Sequence, residues 1–198
     1  MIKCIIFDWG GVCTESHLIR NFSKSLGGEF DIRQEVVEKA FIEKDTDYEL
    51  GRITSEDFWV YFAERLGINK ERAKKVFIET QNVNNEVTEF VKSLKKNFLV
   101  VLLTNNYHDL VQNIKSNYYD FFHYIYASNE LGIKKPDKQI YKRVLDDLSL
   151  AASECIFVDD KEKNLTPADE LGMNTILFTD FNDLKNNIDM IVRNNKKL

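Results

Sequence analysis

Four short stretches of this chain carry side chains suited to chemistry. Asp8 closes the apolar run Ile5-Ile6-Phe7 and is followed at once by Gly10-Gly11. Thr104-Asn105 closes Phe98–Leu103, and Asp159-Asp160 closes Cys155–Val158. The fourth is Lys134-Lys135, ahead of Pro136-Asp137. A carboxylate can act as a nucleophile, and a hydroxyl with backbone amides can cradle an oxyanion. Three crowded carboxylates repel one another unless a cation neutralises them; their hard oxygens suit Mg²⁺, which keeps waters and binds phosphate. Lys135 would offset the remaining negative charge. Singly, each stretch also has a plain structural reading. Asp8 could close a strand before a glycine turn, Thr104 could cap the next helix, Lys135 could be a solvated loop lysine like its neighbour Lys134, and Asp159-Asp160 could be turn acids.

What would unite them is a sheet whose strand ends meet. The three apolar runs are short and unbroken, as in strands buried on both faces. Between and after them the period is helical: Val87, Phe90, Val91 and Leu94; Leu110, Val111 and Ile114; Ile140, Tyr141, Val144, Leu145 and Leu148; Leu184, Ile188, Ile191 and Val192. Thr166-Pro167 reads as the cap and first residue of another helix, with Gly172 as its stop. Further strands are expected in the aromatic segment Tyr118–Tyr126 and at Thr175–Phe178. Strands alternating with helices mean an α/β fold with a parallel, doubly wound sheet, and such sheets bind ligands at the carboxyl ends of their strands. From Thr14 to Val83 the pattern is helix only. Leu18, Ile19, Phe22 and Leu26 share a stripe that Gly27-Gly28 should stop; Ile32–Phe41, a helix starting near Ser55 and closed by Gly67, and Lys70–Glu79 follow. The expected organisation is an α/β core of residues 1–13 and 84–198 with an all-helical insert, 14–83.

The 198 residues suffice for one ample domain or a core with an insert, and the net charge of −5 with no basic face argues against nucleic acid. Cys4, Cys13 and Cys155 are odd in number and suit no metal knot, so they read as reduced thiols of a cytoplasmic protein. Asp8 cuts short the first apolar run, so no signal peptide is expected, and no run approaches the ~20 apolar residues of a membrane span. His17, His108 and His123 are scattered and are assigned no metal. The aromatics of 118–126 read as core, and the Lys/Asn-rich tail Arg193–Lys197 should fray. A monomer or homodimer with a small-molecule substrate is expected.

Taken together the motifs resemble those of the haloacid dehalogenase superfamily, in the branch with a Rossmann-like core and an α-helical cap inserted after the first motif. The likeness rests on Phe-Asp-Trp-Gly-Gly-Val (7–12), Leu-Leu-Thr-Asn (102–105), Gly-Ile-Lys-Lys-Pro-Asp-Lys-Gln-Ile-Tyr (132–141) and Phe-Val-Asp-Asp (157–160), with Asn164 and Gly172 downstream. The resemblance implies that Asp8 is the nucleophile of an aspartyl-phosphate mechanism. It implies that the Thr104 hydroxyl and the Asn105 backbone N–H hold the phosphoryl group, and that Lys135 stabilises its charge and orients Asp8. Mg²⁺ would be held by Asp8 and Asp160, by Asp159 directly or through water, and by the Gly10 carbonyl. Which aspartate of the pair touches the metal is open at this level. The implied activity is hydrolysis of small phosphorylated metabolites, sugar phosphates foremost.

One departure matters. Most phosphatases of that family carry a second Asp two residues after the nucleophile, as general acid and base, and here that position is Gly10. General acid–base catalysis is typically worth about 10²–10⁴-fold. Either the substrate has a leaving group that needs little protonation, or the insert or its hinge lends an acid, with Glu15, His17, Asp45 and Asp47 as candidates. A small residue at that position also resembles the phosphonatase branch, which would need a Schiff-base lysine such as Lys24, Lys39 or Lys44. A dehalogenase, or a non-catalytic regulatory relative, completes the alternatives.

Overall fold

Strand β1, Cys4–Phe7, is buried along its whole length, and the other strands are arranged around it. The computed structural model describes residues 1–195. In it β2 (Leu99–Thr104) and β4 (Cys155–Asp159) flank β1, while β3 (Tyr124–Ala127) and β5 (Asn174–Leu177) lie outside them. Every pairing is parallel, in the order β3-β2-β1-β4-β5. The chain leaves β1 for one side of the sheet and later returns to the other, which makes β1 the switch point of a doubly wound α/β fold. Phe7 lies opposite both Leu102 and Val158. That register brings Asp8, Thr104 and Asp159 out at one edge.

The helices are α1 (Leu18–Phe30), α2 (Gln34–Ile42), α3 (Asp45–Glu49), α4 (Ser55–Leu66), α5 (Lys70–Glu79), α6 (Asn85–Leu94), α7 (His108–Asn117), α8 (Ser128–Leu131), α9 (Lys138–Leu148), α10 (Glu162–Glu170) and α11 (Phe181–Asn194). Alternate strand residues serve opposite faces of the sheet. Ile5, Phe7, Val100 and Leu102 pack with Val87 and Val91 of α6 and Leu184 and Ile188 of α11. Cys4, Ile6, Val101, Leu103 and Phe157 pack with Tyr141 and Val144 of α9 and Ala168 of α10. Between β1 and α6 the chain is helical, and α1, α2, α4 and α5 enclose a core of Phe22, Phe41, Phe58, Trp59, Phe62 and Phe77, all buried. These rings meet mainly edge to face, for example Phe22 on Phe77 at 5.1 Å, the arrangement the aromatic quadrupole favours. Tyr107 and Leu110, from the turn and first helix after β2, enter the same core.

Three sequence expectations are corrected. Gly27-Gly28 does not stop α1, which continues to Phe30 and ends on Asp31 in the left-handed conformation. Gly27 is instead a packing position, because a Cβ there would lie 2.5 Å from the Ile32 carbonyl oxygen, and that close return lets the Asp31 and Ile32 N–H groups bond to the Gly27 carbonyl. Thr166-Pro167 does not open a helix: α10 starts at Glu162 and carries Pro167 inside it. Starting directly after β4 lets Asn164 fold back onto Asp159 and buries Leu165 and Ala168, which outweighs one missing helix hydrogen bond. The tail is ordered further than expected, since α11 includes Arg193 and Asn194; the rest of that segment, beyond residue 195, lies outside the described residues. Among the described residues no helix is long and apolar enough to cross a membrane.

Candidate active site

The edge formed by β1, β2 and β4 gathers the chemistry-bearing residues. Asp8 is buried immediately after β1, and the Trp9 N–H donates to its Oδ1 at 2.7 Å. The Lys135 ammonium, also buried, lies 2.9 Å from the same oxygen and 2.6 Å from Asp159 Oδ2. Lys135 is aimed by Asn105. The Asn105 side chain donates to the Lys135 carbonyl at 2.8 Å and accepts from the Lys135 N–H at 2.8 Å. This side-chain clamp was absent from the sequence reading, which gave Asn105 a backbone role only.

The two aspartates after β4 have separate situations. Asp159 is wholly engaged, receiving Lys135, the Asn164 amide on both oxygens at 2.9 and 3.0 Å, and the Lys161 N–H at 2.9 Å. Asp160 has a buried Oδ1 without a hydrogen-bond partner and only a long 3.7 Å ion pair to exposed Lys161. Its Oδ2 accepts from the Ser16 hydroxyl at 3.4 Å, which ties the segment after β1 to the site. One carboxylate oxygen each of Asp8, Asp159 and Asp160 lies within 4.8 Å of the others. Thr104 Oγ1 is buried and has no partner.

Burial pushes the Asp8 carboxyl up to about 6, more than Lys135 pulls it back, with the Asp159 charge adding to the rise. Burial alone would lower the Lys135 amine, but Asp8 and Asp159 hold it above its ordinary value, so it stays charged. A further cation in this cluster would favour the ionised form of Asp8.

A cleft at this edge has a volume of about 450 Å³, and its lining includes Gly10, Asn105, Tyr107 and Asp160 together with residues 14–20, Glu49 and Gln81. Of the four candidate acids, Glu15 and His17 line it; Asp45 and Asp47 do not. Asp45 instead accepts the Tyr107 hydroxyl, and Asp47 pairs with Arg52 at 3.3 Å. Lys24, Lys39 and Lys44 are also absent from its lining.

The paired glycines differ sharply. A Cβ at Gly11, where φ is +85°, would lie 2.2 Å from Asp160 Oδ2, whereas one at Gly10 would meet nothing within 4 Å. Gly11→Ala should therefore displace Asp160 and cost about 1–3 kcal/mol through backbone strain, while Gly10→Asp should leave the denaturation midpoint nearly unchanged. Urea unfolding of both variants checks this, and equal losses would mean that Gly10 is also demanded by the fold.

Comparison with known proteins bears on the family and the fold. The sequence model of the haloacid dehalogenase-like hydrolase family matches residues 2–172. Sesquiterpene phosphatase astK of Aspergillus oryzae is 29% identical over 186 residues, covering 90% of each chain. D-ribitol-5-phosphate phosphatase of Bacteroides thetaiotaomicron is 26% identical over 189 residues, covering 88% of this chain and 91% of that one. Among solved structures, a HAD family enzyme of Bacteroides thetaiotaomicron, in complex with magnesium and inorganic phosphate, superposes with a TM-score of 0.77 at 25% identity, over 93% of this chain and 99% of that one. Not every relative is of this size: the chain spans 19% of the rat bifunctional epoxide hydrolase 2, to which it is 34% identical over 107 residues.

Proposed function

The chain belongs to the haloacid dehalogenase-like hydrolase family, and from that premise we propose that it is a Mg²⁺-dependent phosphatase of small phosphorylated metabolites, sugar phosphates foremost. The observation that carries this reading is the buried Lys135 ammonium bridging Asp8 and Asp159, at the sheet edge where Thr104 keeps an unpartnered hydroxyl. A buried carboxylate, a fixed positive charge and a free hydroxyl donor thus stand at one sheet edge. The phosphatases among the relatives, one of them acting on a sugar-alcohol phosphate, support it.

Asp8 acts as the nucleophile. Trp9 N–H and Lys135 both hold Oδ1, which leaves Oδ2 to attack phosphorus. The Thr104 hydroxyl donates to a phosphoryl oxygen, and Lys135 faces the charge that builds up as the bond to the leaving group breaks. The aspartyl-phosphate so formed is then hydrolysed by water. The donor set fits a hard divalent ion, because three carboxylates crowd together and Asp160 keeps a buried oxygen without a donor. Asp8, Asp160 and the Gly10 carbonyl would hold Mg²⁺, while Asp159, saturated by Lys135 and Asn164, serves to position the lysine. When bound, the ion supplies charge neutralisation for the phosphate.

Helices α1–α5 would act as the cap, since residues 14–20 and Glu49 wall the cleft opposite the strand ends. A carbon–phosphorus hydrolase is less well supported, as no insert lysine among Lys24, Lys39 and Lys44 reaches the cleft.

Asp160→Asn tests the metal assignment. Mg²⁺ should raise the thermal midpoint of the wild-type protein and sustain turnover of a sugar phosphate, and the variant should lose both responses. Turnover unaffected by EDTA, or a variant that binds Mg²⁺ as the wild type does, would remove Asp160 from the metal site.

A further inference from the structure

With Asp8 as phosphoryl acceptor, the proton for the leaving group still needs a source, because Gly10 stands where a carboxylate would supply it. The space beside Gly10 is open, with nothing within 4 Å of a Cβ built there. A group on the cleft wall formed by residues 14–20 and Glu49 meets no obstacle at that point.

Few groups on that wall can transfer a proton. Glu15 accepts from the Asn82 amide at 2.9 Å, and Glu49 is ion-paired with Lys134 at 2.6 Å. The Tyr107 hydroxyl donates to Asp45, and the Arg20 and Lys161 side chains carry donors only. His17 remains. Elsewhere, His123 accepts the Val100 N–H through Nδ1 at 3.0 Å, and His108 lines a different cavity. Imidazole can both give and take a proton near neutral pH, as this role requires.

The backbone at His17 is unusual too. It has φ 68° and ψ 36°, the left-handed region that residues other than glycine seldom enter. His17 occupies the N-cap position of α1, yet its side chain does not cap the helix. Strain of this kind persists only where the surroundings enforce it, and it concentrates at functional sites. Here the preceding residue is pinned: the Ser16 hydroxyl donates to Asp160, and its carbonyl accepts from the Asn21 amide at 3.4 Å. The conformation frees the imidazole from the helix end and leaves it on the cleft wall.

We propose that His17 is the proton-transferring residue of this enzyme, replacing the carboxylate missing at Gly10. The proposal rests on the phosphatase reading of Asp8. In the first step Asp8 Oδ2 bonds to phosphorus, the bond from phosphorus to the leaving oxygen breaks, and the His17 imidazolium gives its proton to that oxygen, releasing an alcohol. In the second, the neutral imidazole takes a proton from water as its oxygen bonds to phosphorus. The bond from phosphorus to Asp8 breaks, and the carboxylate and inorganic phosphate are regenerated. Water is consumed once, and His17 ends protonated as it began.

The test compares kcat/KM for a primary alkyl phosphate and an aryl phosphate, with Mg²⁺ present. The aryl leaving group needs far less protonation in the first step. In His17→Asn, chosen because asparagine tolerates the left-handed backbone, the alkyl-to-aryl ratio should fall by about 10²-fold relative to wild type. Adding Gly10→Asp to that variant should restore much of the ratio. His17→Gly, which also suits the backbone, should regain alkyl turnover when free imidazole is added. Equal losses on both substrates, together with no response to imidazole, would overturn the role of His17 and leave the phosphatase reading standing. A wild-type protein inert toward both substrates would overturn the phosphatase reading itself, and this proposal with it.

Discussion

Lys135→Met should abolish turnover and also destabilise the protein, by about 3–5 kcal/mol. The ammonium lies 2.9 Å from Asp8 and 2.6 Å from Asp159, with its side chain wholly buried. Removing it leaves two buried carboxylates facing each other, and one must take up a proton. Burial already pushes Asp8 up to about 6 with the lysine in place, so Asp8 is the group that would protonate. A protonated Asp8 is no nucleophile, and the transition-state charge loses its fixed partner; losing one such donor typically costs about 10²–10³-fold. The two effects combine to more than about 10³-fold.

The double variant Lys135→Met/Asp159→Asn separates them. Replacing the second charge should return most of the stability, because Asn164 and the Lys161 N–H still partner that side chain, while activity stays lost. Urea denaturation and turnover measured on the same preparations decide the matter. If the single variant is as stable as the wild type, the three charges are not coupled as their distances imply.

Much of this arrangement was legible before any coordinates. An unbroken apolar run such as Ile5-Ile6-Phe7 announces a strand buried on both faces, and the residue that ends it must sit at the sheet edge. Three such runs therefore placed Asp8, Thr104 and Asp159-Asp160 together, and the register of Phe7 against Leu102 and Val158 is what brings this about. The division of labour within Asp159-Asp160 was not legible, because it depends on which carboxylate Asn164 and Lys135 reach. Local signals failed where tertiary packing outweighed them. Glycines usually end helices, but Gly27 lies inside α1 because another backbone segment needs its missing Cβ. Proline usually opens helices, but Pro167 lies inside α10 because Asn164 has to follow β4 closely. The left-handed conformation of His17 has no sequence signature, since even residues that tolerate it, as histidine does, adopt it at few positions.

Asp109 shows most clearly what no spacing rule could have found. It lies in the first turn of α7, just after Thr104-Asn105, and is buried. Four side chains from three other helices converge on its carboxylate: the Tyr48 hydroxyl of α3, Ser55 and Trp59 Nε1 of α4 at 2.8 and 2.7 Å, and Lys74 of α5 at 2.6 Å. The nearest of these in sequence, Lys74, is 35 residues away. Asp109 thus fastens α3, α4 and α5 to α7, the helix that follows β2. Asp109→Ala should cost about 3–5 kcal/mol, since it strands buried donors and an ammonium. Lys74→Ala should cost far less, because that side chain is 35% exposed and water can replace it for the carboxylate. The pH dependence has a definite sign. Burial alone would raise the Asp109 carboxyl, but the hydrogen bonds from Lys74, Tyr48, Trp59 and Ser55 outweigh it and hold the group below its ordinary value. The folded protein therefore binds this proton less readily than the unfolded chain. The resulting stability is fully present above the ordinary carboxylate range and is lost as pH falls through the depressed folded value. Measured by urea unfolding from about pH 6 down to about pH 2.5, the gap between wild type and Asp109→Asn should narrow on the acid side. A gap that stays constant would mean that Asp109 holds the insert by shape and hydrogen bonding alone, with its charge contributing nothing.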